Sequence, residues 1–169
     1  FLGVRVECAQ CHKHPFDRWT QADYRAYANV FTAVSFGVSP EAKKTIDEEN
    51  AERKKKSDKK NQLQPIREIF VGAGGKGSAP LPDPDTGKPL PPKALGGPEI
   101  TVKKGEDPRE ALFAWMHAAD NPFFARAFAN RVWGHYFGVG IVDPVDNFSL
   151  ANPPSNPKLL DALAKDFIE

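Results

Sequence analysis

The sequence predicts a mainly α fold with a small two-stranded β excursion and long Pro/Gly-rich loops. Three observations predict it. Apolar residues recur at helical spacing near the start of the chain and again in its last third. Asn-Pro or Asp-Pro pairs open three segments of that last third, as helix starts do. Sixteen Pro and 13 Gly among 169 residues interrupt much of the remainder. The length suits one ordinary domain or two small ones, and 12 Phe, 3 Trp and 3 Tyr supply bulky core material. Lys plus Arg number 23 against 22 Asp plus Glu, a net charge of +1. That balance argues against a nucleic-acid or anionic-membrane surface, because both partners demand an excess of positive charge. No apolar run approaches the roughly 20 residues of a membrane-spanning helix. The chain opens on Phe with no signal-peptide pattern, so it reads as a mature or excised piece of something longer.

The only two cysteines stand in Cys8-Ala9-Gln10-Cys11-His12, the spacing used for covalent haem attachment. Two thiols three residues apart can each add to one vinyl group of the same porphyrin. The histidine next in line is then held under the iron as an axial ligand. Chance placement of the cysteines and a histidine in this order is roughly a 10⁻⁴ event. Three other chemistries use similar residues. A redox dithiol belongs at a strand-to-helix turn of a βαβ unit, which the surrounding sequence lacks. A zinc site on Cys8, Cys11, His12 and His14 is too crowded to reach tetrahedral geometry easily. A disulfide across two residues is strained. Haem c, with its iron on His12, is the expected cofactor, and the fold becomes a c-type-haem-bearing helical fold.

Residues 1–40 then read as a haem-attachment segment followed by a helix. Pro15 interrupts the stretch from Lys13 to Trp19. Thr20 is the expected N-cap, with Asp23 in the capping-box position. Tyr24, Tyr27, Ala28 and Phe31 follow at i, i+3, i+4 and i+7, predicting a helix over 21–33. Its Tyr27 face packs either in the core or on a porphyrin edge.

Residues 41–98 read as a charged and Pro/Gly-rich insertion. From Glu41 to Gln62 only Ala42, Ile46 and Ala51 are apolar, so the stretch is an exposed helix or a disordered excursion. Its Arg53–Lys56 cluster reads as a solvated face, with docking on an acidic redox partner as the alternative. Pro65–Val71 reads as a strand, and Glu99–Lys103 as a second strand pairing with it. Between them, Gly72-Ala73-Gly74-Gly75-Lys76-Gly77 has the form G-x-G-x-x-G. The Pro-rich run that follows cannot be the helix whose N-terminus would receive a pyrophosphate. Asp83–Gly87 reads as a turn rather than a calcium loop.

Residues 99–169 read as a C-terminal helical region closing on the haem. Helices are expected over 108–119, 122–137 and 157–168, the middle one stopping at Gly138. The first should bury Ala111, Leu112, Trp115 and Met116, and the last Leu160, Leu163, Ala164 and Phe167. In the middle helix Phe124, Phe128, Val132 and His135 share one stripe. A histidine ending such a stripe is usually a core residue bonded to backbone. With a haem present, His135 is also the leading candidate to face the iron opposite His12, ahead of His117, Met116 and His14, with an open position as a further alternative. Arg131, on the same side, could pair with a haem propionate or form a structural ion pair.

These residues carry a family resemblance. Phe1–Phe31, with Cys-Ala-Gln-Cys-His-Lys-His-Pro-Phe-Asp-Arg-Trp, resembles the end of the haem-motif domain of the large planctomycete cytochrome-c-like proteins. Asn121–Asp161, with Asn-Pro-Phe-Phe-Ala-Arg, Asn-Arg-Val-Trp-Gly-His-Tyr-Phe-Gly and Asn-Pro-Pro-Ser, resembles the start of an adjoining second domain of unknown function. Thr86–Pro92 and Leu95-Gly96-Gly97 are similar to the segment joining them. The resemblance implies export across the inner membrane, where haem is attached, and a redox role. The family motif carried over includes Cys8, Cys11, His12, His14, Pro15, Asp17, Arg131, Trp133 and His135. His117 falls where the family usually has no histidine, which favours His135 as second ligand. Family members are several times longer and carry a further cytochrome-like domain ahead of this region, so this chain is expected to be a junction piece.

The expected function is that of a c-type cytochrome, a covalent-haem electron-transfer protein of the periplasm or cell exterior, more an electron carrier than an enzyme. His12 and His135 would hold the iron, while Tyr27, Phe128 and Arg131 would contact the porphyrin. The expected partner is a redox protein, with a homo-oligomer or other parts of a longer chain as alternatives. Neither nucleic acid nor a membrane span is expected. Two other classes stay open: a haem enzyme with a free sixth position near Arg131 or His14, and a structural subunit of a multi-haem assembly.

Overall fold

The structure, a computed structural model, describes residues 1–55, 62–71, 79–101, 103 and 106–169. Its first element is a single 3-10 turn, Glu7–Gln10, with Cys11 as its C-cap. Helix α1, Gln21–Asn29, starts as the sequence predicts. The Thr20 hydroxyl accepts from the Asp23 N–H at 3.1 Å, while the Asp23 carboxylate accepts the Thr20 N–H at 2.9 Å. It stops short of the expected residue 33. Val30 and Phe31 donate to carbonyls three residues back, and β-branched Val30, Thr32 and Val34 lead the chain into strand β1, Val34–Gly37.

The β excursion exists, but with a different partner. Strand β2, Glu68–Val71, pairs antiparallel with β1, running from Val34↔Val71 to Gly37↔Glu68. The expected second strand at 99–103 is corrected: Glu99 makes only an isolated bridge with Lys93, and the Ile100 N–H donates to Pro92 O. Pro91, Pro92 and Pro98 flank this crossing, and each lacks the N–H that a longer ladder needs. Between the strands lies α2, Pro40–Lys55, which buries none of its residues. The charged run is thus an exposed helix over that span. The glycine-rich motif at 72–77, residues 56–61 of the charged run and residue 102 of the expected second strand lie outside the described residues.

The last third holds α3, Pro108–Met116, α4, Phe124–Phe137, and α5, Pro157–Ile168. Asp107 and Asn156 cap α3 and α5 as the Asx-Pro pairs predict. Asn121 acts at two ends at once. Its Nδ2 donates to Trp115 O at 3.0 Å, closing α3 before residue 119, and its Oδ1 accepts from Phe123 and Phe124, so α4 begins later than 122. Gly138 takes φ 79° at the end of α4, a left-handed turn that suits glycine. Helices α4 and α5 pack together, with the Phe128 and Phe167 rings 4.6 Å apart and Arg126 3.1 Å from Asp161. Burial is narrower than the helical stripes predict: Ala111 is exposed, and so are Phe128 and Phe167 in part, while Leu112, Leu160 and Ala164 are buried.

Two neighbouring core clusters join the halves of the chain. Leu2, Ala9, Trp19 and Leu95 form one, with Tyr27, Trp115 and Met116 against it; Val30, Ala94, Ile100 and Leu112 form the other. A third, Ile141, Val142 and Leu160, anchors α5 to the loop after α4. That loop also grips the first residues of the chain. The Phe148 N–H donates to Gly3 O at 2.8 Å, and Arg5 meets Asp146 at 2.6 Å. Gly3 sits at φ 69°, and a Cβ there would stand 2.8 Å from the Phe148 ring and 2.9 Å from Ala127. No side chain fits at that crossing. Among the described residues no helix is long and apolar enough to cross a membrane.

Candidate functional site

The turn that carries Cys8 and Cys11 is held by its middle. Ala9 is fully buried beside Leu2 and Trp19, and its N–H donates to Val6 O at 2.9 Å. The residues on either side therefore face outward, and both Cys8 and Cys11 are exposed free thiols. Backbone bonds from Cys11 N and His12 N to Cys8 O, at 3.4 and 3.3 Å, place the two cysteines and the histidine on one tight turn. The turn packs against α1, and Gln21 Nε2 ties the two by donating to Gln10 O at 2.9 Å.

His12 is exposed, and its Nδ1 lies 2.7 Å from Lys13 O. A carbonyl only accepts, so Nδ1 is the donor, and in the neutral imidazole this tautomer leaves the Nε2 lone pair free. This is the arrangement a metal-ligating imidazole uses, its second nitrogen oriented by a backbone acceptor. Two accessible thiols on one turn beside such an imidazole are residues that would hold a covalent porphyrin and ligate its iron. Among the described residues no three His, Cys, Asp or Glu side chains converge, and the His14 Nδ1 accepts from the Phe16 N–H at 3.2 Å.

The other expected site residues lie in three places. Tyr27 and Arg131 line one cleft of about 500 Å³ with Met116 and the Phe1–Val4 segment. The Tyr27 ring packs into both adjoining clusters and stacks edge-on with Phe31 at 5.5 Å, and burial raises its phenol pKa. Arg131 and Phe128 line a second cleft, of about 360 Å³, with Phe1 and Phe124. Cys8, Cys11 and His12 line neither. Arg131 also acts on Asp146, whose carboxyl is held below its ordinary value chiefly by the hydrogen bond from Arg5. His135 lies in the last turn of α4, exposed, its ring edge-on to Tyr136 at 5.2 Å. Among the described residues no hydrogen bond engages its ring nitrogens. His117 differs: its Nδ1 bonds Phe113 O at 2.9 Å, and its ring lies 4.0 Å from that of Phe113 and 5.1 Å from that of Phe124.

A fourth place was not foreseen. The loop from Lys13 to Arg18 and the pair Leu150–Ala151 face each other across an open cleft of about 810 Å³. Leu150 is the one leucine in the Asp-, Asn- and Pro-rich stretch from Gly138 to Ser155. That isolation was the only signal the sequence carried.

Two family matches bracket these features. Residues 1–36 match PSCyt2, a protein of unknown function (DUF1549), and residues 108–169 match PSD1, a protein of unknown function (DUF1553). The first covers the turn with Cys8 and Cys11, α1 and most of β1; the second covers α3 to α5. They fall where the two resembling segments lie, the second starting at 108 rather than 121. No curated protein and no solved structure matches the chain.

Proposed function

We propose, with the two matched families as the starting point, that the chain is the haem-bearing part of a c-type electron-transfer protein. Cys8 and Cys11 form thioethers to one porphyrin, and His12 ligates its iron. The observation that carries the reading is the attachment turn, where the only two thiols and an imidazole with a free Nε2 stand exposed around a buried Ala9. In each thioether the sulfur bonds to the inner carbon of a vinyl group and the thiol hydrogen passes to the outer carbon. The addition needs neither oxidant nor leaving group. The haem, once bound, supplies one-electron chemistry. The chain's residues anchor it: Lys13 O orients the His12 ring, and the core hold on Ala9 fixes the turn.

His135 is the second iron ligand we propose, on its place in the motif Asn130–Gly138; His117, whose Nδ1 bonds Phe113 O as that of His12 bonds Lys13 O, is the alternative. The periplasm or the cell exterior, where haem is attached to CxxCH, is the location we propose, and a redox protein is the partner. The test is expression with a haem-attachment system, followed by acid–organic extraction and intact mass. The pigment should stay on the polypeptide and the mass should rise by one haem. Clean stripping of the pigment, or an unmodified mass, sinks the proposal.

A further inference from the structure

We infer that Phe16 and Leu150 form an apolar shelf for the porphyrin attached at Cys8 and Cys11, so that the loop after α4 supplies one wall of the haem seat. The inference rests on the proposed covalent haem and adds where its ring lies.

Both side chains stand in solvent, Phe16 at 68% and Leu150 at 71% exposure, although each sits in a loop with a defined course. The Phe16 loop is closed by the His14 N–H to Trp19 O at 2.8 Å and by the Phe16 N–H to the His14 ring at 3.2 Å. The Leu150 loop is closed by Asn152, whose Nδ2 donates to Asn147 O at 2.8 Å and Asp143 O at 3.2 Å, and whose N–H donates to Ser149 O at 2.9 Å. Neither side chain is exposed for want of a fixed backbone. They are held facing one cleft from opposite ends of the sequence.

Large apolar groups facing each other across an open cleft mark a surface that something apolar covers. Three observations identify the occupant as the tethered ring. First, the cleft adjoins the tether, because Lys13 lines it and also accepts the His12 hydrogen bond. Second, the cleft volume of about 810 Å³ falls within the range of small-molecule and cofactor sites. Third, its rim carries Lys13 and Arg18 against a single carboxylate, Asp17, which suits a ring bearing two propionates. The Arg18 guanidinium is held there by stacking 4.6 Å over the Trp19 ring.

The test uses the haem-loaded chain. In the unaltered protein, nuclear magnetic resonance should show cross-relaxation between the Phe16 ring and the haem methyl protons. Phe16→Ala with Leu150→Ala should at least halve the Soret circular dichroism and lower the midpoint potential, because water reaching the ring favours the more charged ferric state. The haem-free double variant should melt like the haem-free parent, since both residues are exposed there. Attached haem with an unchanged Soret signal and potential in the double variant, and no cross-relaxation to Phe16, overturns the shelf alone. A chain that takes up no covalent haem overturns both the shelf and the function on which it rests.

Discussion

Two buried asparagines, at 0 and 3% exposure, do work that no apolar residue could. Asn130 donates from Nδ2 to Val142 O at 2.8 Å and accepts the Val142 N–H at 2.9 Å. Asn29 donates to Leu81 O and Leu90 O and accepts the Leu81 N–H at 2.7 Å. Each stands in for the backbone partner that a passing loop lacks. Asn130→Ala would strand a buried N–H and a buried carbonyl, so we expect a loss of about 3 kcal/mol, read by denaturant unfolding. A loss below ~1 kcal/mol would mean that water replaces the amide.

Charge acts at the same scale. Asp107 caps α3 and holds Arg109 at 2.7 Å, and that hydrogen bond chiefly lowers its carboxyl below the ordinary 3.8. Asp146 is lowered likewise by Arg5. A carboxylate lowered in the folded state contributes its full stability above the unfolded value. That contribution fades as pH falls through the lower folded value. Asn caps a helix about as well as Asp, so Asp107→Asn isolates the charge. The parent should be more stable than this variant at pH 6, and the difference should close toward pH 2. A difference that stays constant over that range would show that the Arg109 pairing contributes nothing.

At the scale of elements, α2 stands apart because it buries no residue. Asn50 exchanges two hydrogen bonds with Leu63, and Ser39, just before the helix, donates to the Glu68 carboxylate. Replacing residues 41–62 by a short Gly/Ser linker should lower the helical circular dichroism yet leave haem attachment intact. The melting temperature should move by no more than ~4 °C, about the effect of 1 kcal/mol in a chain of this size. Loss of the haem would give this helix a structural role that its exposure does not suggest. The α4–α5 pair is the opposite case, with ring contacts, an ion pair and a shared cluster between them.

In the whole molecule, the segment that carries Cys8 and Cys11 is gripped by residues from near the far end of the chain. Phe148 bonds Gly3, Asp146 bonds Arg5, and Leu150 faces Phe16. A haem joined to both His12 and His135 would add an iron crosslink to these contacts and stabilise only the folded state. His135→Ala should turn a low-spin spectrum high-spin and lower the melting temperature of the loaded protein, while His117→Ala leaves the spectrum unchanged. The reverse pattern would make His117 the ligand. No change in either variant would assign the position to Met116 or to His14 of another subunit.

What the sequence determined by itself is local. The spacing of Cys8, Cys11 and His12 is the basis of the proposed chemistry, and the Thr20 capping box, the Asx-Pro starts and Gly138 mark helix ends, because each acts within four residues or so. The strand at 68–71 was legible from its own residues; its partner was not, since pairing with Val34–Gly37 depends on which edges the fold brings together. The same holds for the early end of α1, where Asn29 is committed to carbonyls at 81 and 90. Phe16 and Leu150 read as unrelated loop residues until the tertiary structure set them across one cleft. Local rules carry the motif and the helix boundaries; contacts between distant residues decide what surrounds the motif, because such contacts leave no period or spacing in the sequence.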